Sequence, residues 1–345
     1  MESFDWKSYI ANYPDLKHLT NLKSAWQHYT IHGKSEGRTP TLIKPTLIQP
    51  TLIQPINLQP LITLNSKIIN LSETINFPNV SNNLFYSSNI SIIKVNDTFI
   101  INSRFVNYRK GEFTPVKCIS LNKCIILDTS FKIISEKIFD HNLLELSSTN
   151  NIGVEDIKLF YFENKIYYIG NYVINNKSHI TTGIYDPGQN NINIKVIQSI
   201  YPQKTEKNWC YFENNNKLNL VYSWCPLLIC EIVNFKLILI KQINNSCLKN
   251  VRGSTNGYKY NKETWFITHT NNNGIYNHQF VVFNENKIKY SNCFKFENYN
   301  IEFCLGLIIS ETHFIISYSL NDLQSKIMMI PIESILSIPF IDFPI

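Results

Sequence analysis

Residues 151–173, NIGVEDIKLFYFENKIYYIGNYV, decide the fold of this chain. In this stretch an adjacent acidic pair, Glu155-Asp156, precedes a run of aromatic and β-branched residues that is interrupted only by the polar turn FENK. These residue types favour strands, so the stretch predicts two antiparallel strands joined by a tight turn. Charged side chains are costly to bury without a partner. The two carboxylates therefore face either solvent at a strand edge, which is the commoner case, or a functional site.

Similar strand pairs recur along most of the chain, each joined by a polar turn and followed by two further strand-like runs. The five units begin at Ile90, Ile157, Trp209, Thr255 and Phe303. Their spacings are therefore 67, 52, 46 and 48 residues, and periods near 50 residues are typical of propeller blades. The sequence predicts an all-β, five-bladed β-propeller in which the early strand Leu61–Leu71 pairs into the last blade and closes the ring. A β-sandwich or jelly roll is the alternative, but it does not explain the polar cluster that opens each unit.

Two other regions precede the strands. Residues 1–39 predict a small helical module, because apolar residues recur there at helical spacing and both alanines of the chain, Ala11 and Ala25, lie in it. Residues 40–60 have a proline at every fifth position, which predicts a semi-rigid extended linker. The expected domains are thus the helical module at 1–39, the linker at 40–60 and the propeller at 61–345.

Composition narrows the class of protein. The 345 residues are 44% hydrophobic, 13% aromatic and 17% charged, which is typical of a folded, β-rich protein. The net charge of +6 comes from basic residues that are scattered singly, so no nucleic-acid partner is predicted. The start of the chain has no pattern of a signal peptide and no stretch approaches membrane-spanning length, so we expect a cytoplasmic protein without membrane insertion. The eight cysteines include no C-x-x-C pair and are expected to be buried free thiols, with no metal site.

Polar side chains open each of the five units. The innermost strands of a propeller converge on its axis, so these side chains are expected to meet in one funnel. Carboxylates with aromatic and amide neighbours suit a sugar site, because carboxylates act as acid and base on a glycosidic oxygen and aromatic faces stack on pyranose rings. The candidate site residues are Arg104, Asn107, Tyr108, Glu155, Asp156, Lys158, Lys207, Asn208, Trp209, Arg252, His269, His278, Glu302 and Asp322. For Arg252, Glu302 and Asp322 the alternative is a structural role, in which buried hydrogen bonds join the blades.

The N-terminal region reads FDWKSYIANYPDL from residue 4 and HYTIHGKSEGRTP from residue 28. This pattern resembles a short module found beside glycosyltransferases and other carbohydrate-related domains in bacteria and in giant viruses of amoebae. The resemblance does not imply what the module does, and docking to protein partners is one hypothesis. For a viral protein the expected location is the host cytoplasm or the virion.

Four motifs stand in the strand region: SRFVNY at 103–108, GVEDIKLF at 153–160, VRGSTNGYKY at 251–260 and IISYSLNDLQSKI at 315–327. Through them, residues 80–335 resemble the five-bladed propellers of glycoside hydrolase family 130, which comprises phosphorylases, hydrolases and mannosyltransferases that act mainly on β-mannosides. The resemblance implies a glycan ligand and places Asp156 at the general-acid position of the family's EDPR motif. It implies no cofactor, but inorganic phosphate or a nucleotide sugar as a co-substrate.

This chain departs from the family pattern at three positions. Ile157 and Lys158 replace the Pro and Arg of the EDPR motif, and Ser319 replaces the glycine of the family's YG..D motif. The set of basic residues with which the phosphorylases bind phosphate has no full counterpart here, and lysine does not reproduce the two-pronged hydrogen bonding of arginine. A catalytically degenerate propeller that binds glycans or has a structural role is therefore the alternative to an enzyme.

Overall fold

The structure is a computed structural model that describes residues 6–39, 60–77, 84–109, 117–139, 151–174, 177–200 and 205–344. The chain divides into two compact units, residues 1–54 and 55–345. The linker predicted at 40–60 lies outside the described residues except for Pro60. The two units are described separately below.

The first unit is helical, as its apolar spacing predicts. It contains α1 (Trp6–Asn12), a 3-10 turn (Pro14–Leu16) and α2 (Leu22–His28), which continues into a π-helical turn (Tyr29–Gly33). The side chain of Asn21 caps α2 by accepting a hydrogen bond from the Ser24 backbone N–H at 2.9 Å. A small apolar core is formed by Tyr9, Leu16, Ala25 and Tyr29.

The second unit is a five-bladed β-propeller, which confirms the predicted fold class. A 3-10 turn (Leu61–Thr63) precedes its first strand, β1 (Lys67–Asn70). Blade 1 contains β2 (Thr74–Asn76), β3 (Leu84–Val95), β4 (Thr98–Val106), β5 (Cys118–Leu127) and β6 (Ile133–Ile138), with β7 (Asn151–Ile152) parallel to β5. Blade 2 contains β8 (Glu155–Phe162), β9 (Lys165–Ile174), β10 (Lys177–Ile184) and β11 (Lys195–Val196). Blade 3 contains β12 (Cys210–Asn214), β13 (Lys217–Trp224), β14 (Leu227–Val233) and β15 (Lys236–Ile243).

The remaining strands form two more blades. Blade 4 contains β16 (Arg252–Gly253), β17 (Tyr258–Tyr260), β18 (Glu263–Asn272), β19 (Ile275–Asn284) and β20 (Lys287–Ser291). Blade 5 contains β21 (Glu302–Ile309), β22 (His313–Leu320) and β23 (Gln324–Pro331). The chain then forms α3 (Ile332–Leu336) and β24 (Phe340–Pro344). The innermost strands are β3, β8, β12, the interrupted pair β16 and β17, and β21, and β3 contacts both β8 and β21 around the axis.

The ring is closed by the first strand of the unit. β1 pairs antiparallel with β23, with Lys67 opposite Met329 and Asn70 opposite Lys326, which confirms the predicted pairing of this early strand with the last blade. At the other end, β24 returns to blade 4 and pairs with β20, with Phe340 opposite Ser291. The outer edges of blades 4 and 5 are thus covered by the last and the first strand of the second unit, which protects edges that would otherwise be open to aggregation.

Asparagine supplies many of the hairpin turns. Glu163-Asn164 joins β8 to β9 with φ angles of 46° and 58°, and Asn215-Asn216 joins β12 to β13 with φ angles of 51° and 56°. Positive φ at both central residues is the mark of a type I′ turn, whose twist matches that of the flanking strands. The polar runs FENK and ENNNK therefore form the tight turns that the sequence predicts.

The cysteines are divided between buried and exposed positions. All eight cysteines are free thiols, and four of them are buried, namely Cys124, Cys210, Cys230 and Cys304. Cys293 is exposed and three others are partly exposed, so the expectation of burial holds for half of the set.

Within the described ranges, the structure contains no helix long and apolar enough to cross a membrane.

Candidate functional site

The innermost strands of blades 1, 2 and 5 each contain a β-bulge in their N-terminal half. In β8 the pairing advances three residues from Glu155 to Lys158, whereas β9 advances only two, from Asn171 to Ile169. Asp156 sits in this bulge with a φ of 51°, in the left-handed region that residues other than glycine rarely adopt. A bulge changes the direction of a side chain, and here the Asp156 carboxylate contacts residues of blade 1.

Arg104 of β4 joins the two carboxylates. Its Nη1 donates to Asp156 Oδ1 at 3.0 Å, and its Nη2 lies 3.2 Å from Glu155 Oε1. The same guanidinium donates to the Tyr108 hydroxyl at 3.3 Å and to Ser120 Oγ at 3.0 Å. The side chain of Arg104 is 7% exposed, whereas those of Glu155 and Asp156 are 21% and 19% exposed. Burial opposes the charged form of Arg104, but the charges of Glu155, Tyr108 and Asp156 outweigh it and hold the pKa of Arg104 above its usual value.

Asn89 of β3 is a member of the cluster that the sequence interpretation missed. Its Nδ2 donates to Asp156 Oδ1 at 2.8 Å, and its Oδ1 accepts from Ser319 Oγ at 2.5 Å. Ser319 lies in β22 of blade 5, so Asn89 connects Asp156 to that blade. The signal for it was present in SSNISII, where an amide and its neighbouring serines interrupt an otherwise apolar strand.

The two oxygens of Asp156 differ in their contacts. Oδ1 accepts hydrogen bonds from both Arg104 and Asn89. Oδ2 makes no hydrogen bond to any residue in the part of the chain that the structure describes. Because the side chain is partly exposed, Oδ2 is the oxygen that a ligand can reach.

Blades 4 and 5 bring further side chains to the same space. Burial raises the pKa of Tyr276, and the charges of Asp322 and Asp156 add to this effect. Asp322 also acts on the ionisation of Arg104 and Tyr108. Tyr276 and Asp322 of blades 4 and 5 therefore lie within electrostatic range of the cluster that Arg104, Tyr108 and Asp156 form.

His269 of β18 borders this funnel. Its ring stacks on Tyr276 with a centroid distance of 5.4 Å and an interplanar angle of 25°, and its Nδ1 lies 2.7 Å from Ser254 Oγ. Burial, followed by the effects of His278, Arg252 and Lys158, lowers the pKa of His269 well below its usual value. The ring is therefore neutral at neutral pH and serves as a support for Tyr276. Arg252, which pairs with His269 in the strand register, is exposed.

Lys158 lies deeper in the molecule. It is 4% exposed, and its Nζ donates to Cys210 Sγ at 3.6 Å. No carboxylate of the described residues lies within ion-pair distance of this Nζ, which makes its burial costly. With Asp156, Asn208, Trp209 and Leu305, Lys158 lines a small pocket that residues from blades 2, 3 and 5 enclose near the axis. Trp209 forms a buried wall of this pocket and packs on Tyr222, with ring centroids 5.1 Å apart.

The structure does not bring four other candidates into the funnel cluster. The Glu302 carboxylate accepts hydrogen bonds from the backbone N–H groups of Phe296, Glu297 and Tyr299 at 2.6, 2.9 and 2.8 Å, which is the structural role named as its alternative. The Asn107 side chain accepts from the Ile119 N–H at 2.7 Å and supports the chain beyond β4. His278 is buried among aromatic rings of blade 4, and Lys207 is exposed to solvent. Ligand contacts for these four residues stay a prediction.

No family model and no curated protein sequence matches this chain. Solved structures nevertheless share its fold. The β-1,2-mannobiose phosphorylase from Listeria innocua, in complex with β-1,2-mannobiose, matches 77% of this chain and 92% of its own length with a TM-score of 0.53 and 11% sequence identity. A glycosyl hydrolase from Bacteroides ovatus matches 72% of this chain and 84% of its own length with a TM-score of 0.50 and 9% identity. Identities this low establish a common five-bladed fold and leave the activity to the residues of the site.

Proposed function

We propose that the protein is a carbohydrate-active enzyme that breaks or forms a mannoside-type glycosidic bond, with Asp156 as the general acid. The observation that carries this proposal is the carboxylate of Asp156, whose Oδ1 is held by Arg104 and Asn89 while Oδ2 is left for a ligand. A carboxyl group held in one orientation, with one oxygen left for a ligand, is what protonation of a glycosidic oxygen requires. The resemblance to glycoside hydrolase family 130 and the fold shared with a β-1,2-mannobiose phosphorylase support the same reaction class.

In this proposal the proton moves from Asp156 Oδ2 to the bridging oxygen as the bond between that oxygen and the anomeric carbon breaks. Inorganic phosphate then forms the new bond to the anomeric carbon, or water or an acceptor hydroxyl does so while it gives its proton to the Asp156 carboxylate. Arg104 positions Asp156 and Glu155, because it bonds to both carboxylates. Tyr108 and Tyr276 offer aromatic faces for a sugar ring, and the polar side chains of Asp322 and of the exposed Arg252 pair with its hydroxyl groups.

The second candidate function is glycan binding without catalysis. It is favoured by Lys158, which replaces the arginine of the related motif and whose ammonium is buried against the Cys210 thiol. A lysine is a point charge and does not hold a phosphate with the planar fork of an arginine. Among enzymatic outcomes, the same observation favours water or an acceptor sugar over inorganic phosphate as the second reactant.

The test compares Asp156→Asn with the parent on two substrates, β-1,2-mannobiose and 4-nitrophenyl β-mannoside, with and without inorganic phosphate. Removal of a general acid is expected to lower turnover of mannobiose by about 10²–10⁴-fold. The loss on the nitrophenyl substrate is expected to be much smaller, because nitrophenolate leaves without a proton. Asp342→Asn, on the outer strand β24, is the matched control and should keep full activity.

The outcomes separate the two functions. Equal losses on both substrates would remove Asp156 from the role of acid. The loss of a general acid slows the departure of a sugar, which needs a proton, much more than that of nitrophenolate, which does not. Binding of the sugars without turnover by the parent would support the glycan-binding function. Absence of both binding and turnover across a panel of β-mannosides would overturn both candidates.

We also propose the division into a helical module at 1–39, a linker at 40–60 and a propeller at 61–345. In this arrangement the helical module tethers the propeller to protein partners. The expected site of action is the cytoplasm, or the virion if the chain is viral. Pull-down experiments with the helical module against the whole protein would identify such partners.

A further inference from the structure

A second cavity, of about 780 Å³, lies between blades 2 and 3. It shares no lining residue with the pocket beside Asp156. Tyr167 and Thr182 line it from blade 2, and Tyr211 and Phe235 line it from blade 3. Its volume falls within the range of about 300–1,000 Å³ that is usual for small-molecule sites.

The two walls of this interblade cavity are fixed to each other by hydrogen bonds. The Gln198 N–H donates to the Phe235 carbonyl at 2.8 Å, and the Leu237 N–H donates to the Gln198 carbonyl at 3.1 Å. At the floor, the hydroxyl groups of Thr182 and Tyr211 lie 2.5 Å apart. The cavity is therefore formed in advance of any ligand, which lowers the entropy lost on binding.

Phe235 occupies an unusual backbone position beside this cavity. Asn234 and Phe235 are the central residues of the turn between β14 and β15, with φ angles of 50° and 59°. The second position of such a turn favours glycine, and a bulky side chain there is strained. Phe131 has a similar φ of 64°, but its ring is supported by stacking on Phe99 at 4.6 Å.

The Phe235 ring has no comparable place in the core. It is 44% exposed, borders the cavity and has Lys195 Nζ at 4.7 Å from its centroid. The turn therefore presents an aromatic face to the cavity.

The rim of the cavity carries polar side chains that match hydroxyl groups. Asp186, Gln189 and Asn193 line it with a carboxylate and two amides. Asp186 Oδ1 accepts from the Gly188 N–H at 2.8 Å, and its Oδ2 makes no hydrogen bond within the described ranges. Lys195 and Asp186 are the charged residues of the lining and have opposite signs, so the cavity does not select a charged ligand.

We propose that the interblade cavity binds a short neutral oligosaccharide at a site distinct from the pocket beside Asp156. The apolar face of a pyranose ring stacks on Phe235 and Tyr167, while its hydroxyl groups pair with the amides and the carboxylate of the rim. This assignment depends on the lining of the cavity and not on catalysis at the axis. An inactive glycan-binding propeller would use the site in the same way.

The test uses Phe235→Gly, because glycine relieves the strained φ and the exposed ring makes little core contact. The matched control is Lys262→Gly, which makes the same backbone change at φ 64° in an exposed turn outside the cavity lining. Mannotriose, cellotriose and xylotriose are titrated by calorimetry, and saturation-transfer NMR identifies contacts to aromatic protons. At least one of them should bind, and Phe235→Gly should weaken its Kd by about tenfold or more through loss of the stacking face. Lys262→Gly and Asp156→Asn should keep the Kd of the parent at this site.

The site assignment is overturned if none of the three trisaccharides binds, or if Phe235→Gly binds as tightly as the parent. An equal loss in Lys262→Gly would also overturn it, since that result would reflect the turn backbone and not the ring. Displacement of the dye anilinonaphthalene sulfonate from the cavity by fatty acids, without sugar binding, would assign an apolar ligand class instead. Asp156→Asn tests catalysis and is expected to lose turnover while trisaccharide binding is unchanged. Phe235→Gly tests the cavity and is expected to lose trisaccharide binding while turnover is unchanged. The failure of one proposal can therefore be told from the failure of the other.

Discussion

Replacement of His278 by phenylalanine is expected to stabilise the protein. The histidine ring is 0% exposed, and its centroid lies 4.6 Å from that of Phe296 and 6.1 Å from that of Phe294. Neither ring nitrogen has a hydrogen-bond partner among the described residues. An unsatisfied buried polar group costs about 1–3 kcal/mol, which the substitution removes. The larger ring of phenylalanine offsets part of this gain, because it overpacks the site. The free energy of unfolding at pH 7.5 should therefore rise by about 1–2 kcal/mol.

The same substitution changes how stability depends on pH. Burial, with a smaller effect of the Lys295 charge, lowers the pKa of His278 from 6.5 to about 3. The unfolded chain therefore binds one more proton than the folded chain between these two values, and the parent loses stability as the pH falls from 6.5 towards 3. A pKa unit corresponds to about 1.4 kcal/mol. The advantage of His278→Phe over the parent should thus grow by about 2 kcal/mol between pH 7.5 and pH 5.

Urea unfolding of both proteins at pH 7.5, 6.5, 5.5 and 5.0 measures this advantage. His179→Phe, at a partly exposed position of blade 2, keeps His278 and controls for the loss of a histidine elsewhere. A stability difference that stays constant from pH 7.5 to pH 5 would refute the reasoning, because it would mean that the His278 ring can take up a proton in the folded protein. A destabilised variant at pH 7.5 would also contradict the expected gain from removing the two unpaired ring nitrogens.

Two further predictions concern the axis cluster and the joining of the units. Arg104→Met leaves Glu155 and Asp156 side by side without their cation. A broken buried ion pair costs about 3–5 kcal/mol. Because both carboxylates are partly exposed, the free energy of unfolding measured in urea should fall by about 2–4 kcal/mol. Arg104→Lys should recover only part of this loss, and a stable Arg104→Met would contradict the central place given to the guanidinium. A chain that begins at Pro60 should fold and keep sugar binding, whereas one that begins at Ser72 lacks β1 and should aggregate through the open edge of β23. Gel filtration and thermal unfolding compare the two, and aggregation of the longer chain would show that the first unit is needed for folding.

The sequence alone determined the architecture of the larger unit. Alternating and aromatic runs such as Ile157–Phe162, with a polar turn after them, are local signals, because strand preference and type I′ turn chemistry depend on neighbouring residues. Their recurrence near 50 residues is the mark of blades, and a leftover early strand implied the closure that β1 and β23 make. The return of β24 to blade 4 was not predicted, since nothing local distinguishes which edge a final strand will cover.

The candidate site was predictable in part. Arg104, Tyr108, Glu155, Asp156 and Asp322 are polar residues at strand ends of their units, and the hydrogen bonds and ion pairs of Arg104 join the first four of them. Glu302 and His278 were also candidates, but their burial and their contacts give them structural roles. A polar side chain beside a strand has the same sequence pattern whether it accepts hydrogen bonds from a turn, as Glu302 does, or fills a core, as His278 does. Only the packing of neighbouring elements distinguishes these roles.

Tertiary structure alone decided the features on which the two proposals depend. One is the bulge that gives Asp156 its positive φ. Another is the contact of Asn89 with Asp156 and with Ser319, which are 67 and 230 positions away from it in the sequence. The cavity beside Phe235 lies between two blades, and its walls come from separate hairpins. Strands and turns form through interactions between near neighbours, so a sequence displays them directly. Contacts between blades depend on the relative placement of whole sheets, which the propeller sets only when the ring has closed.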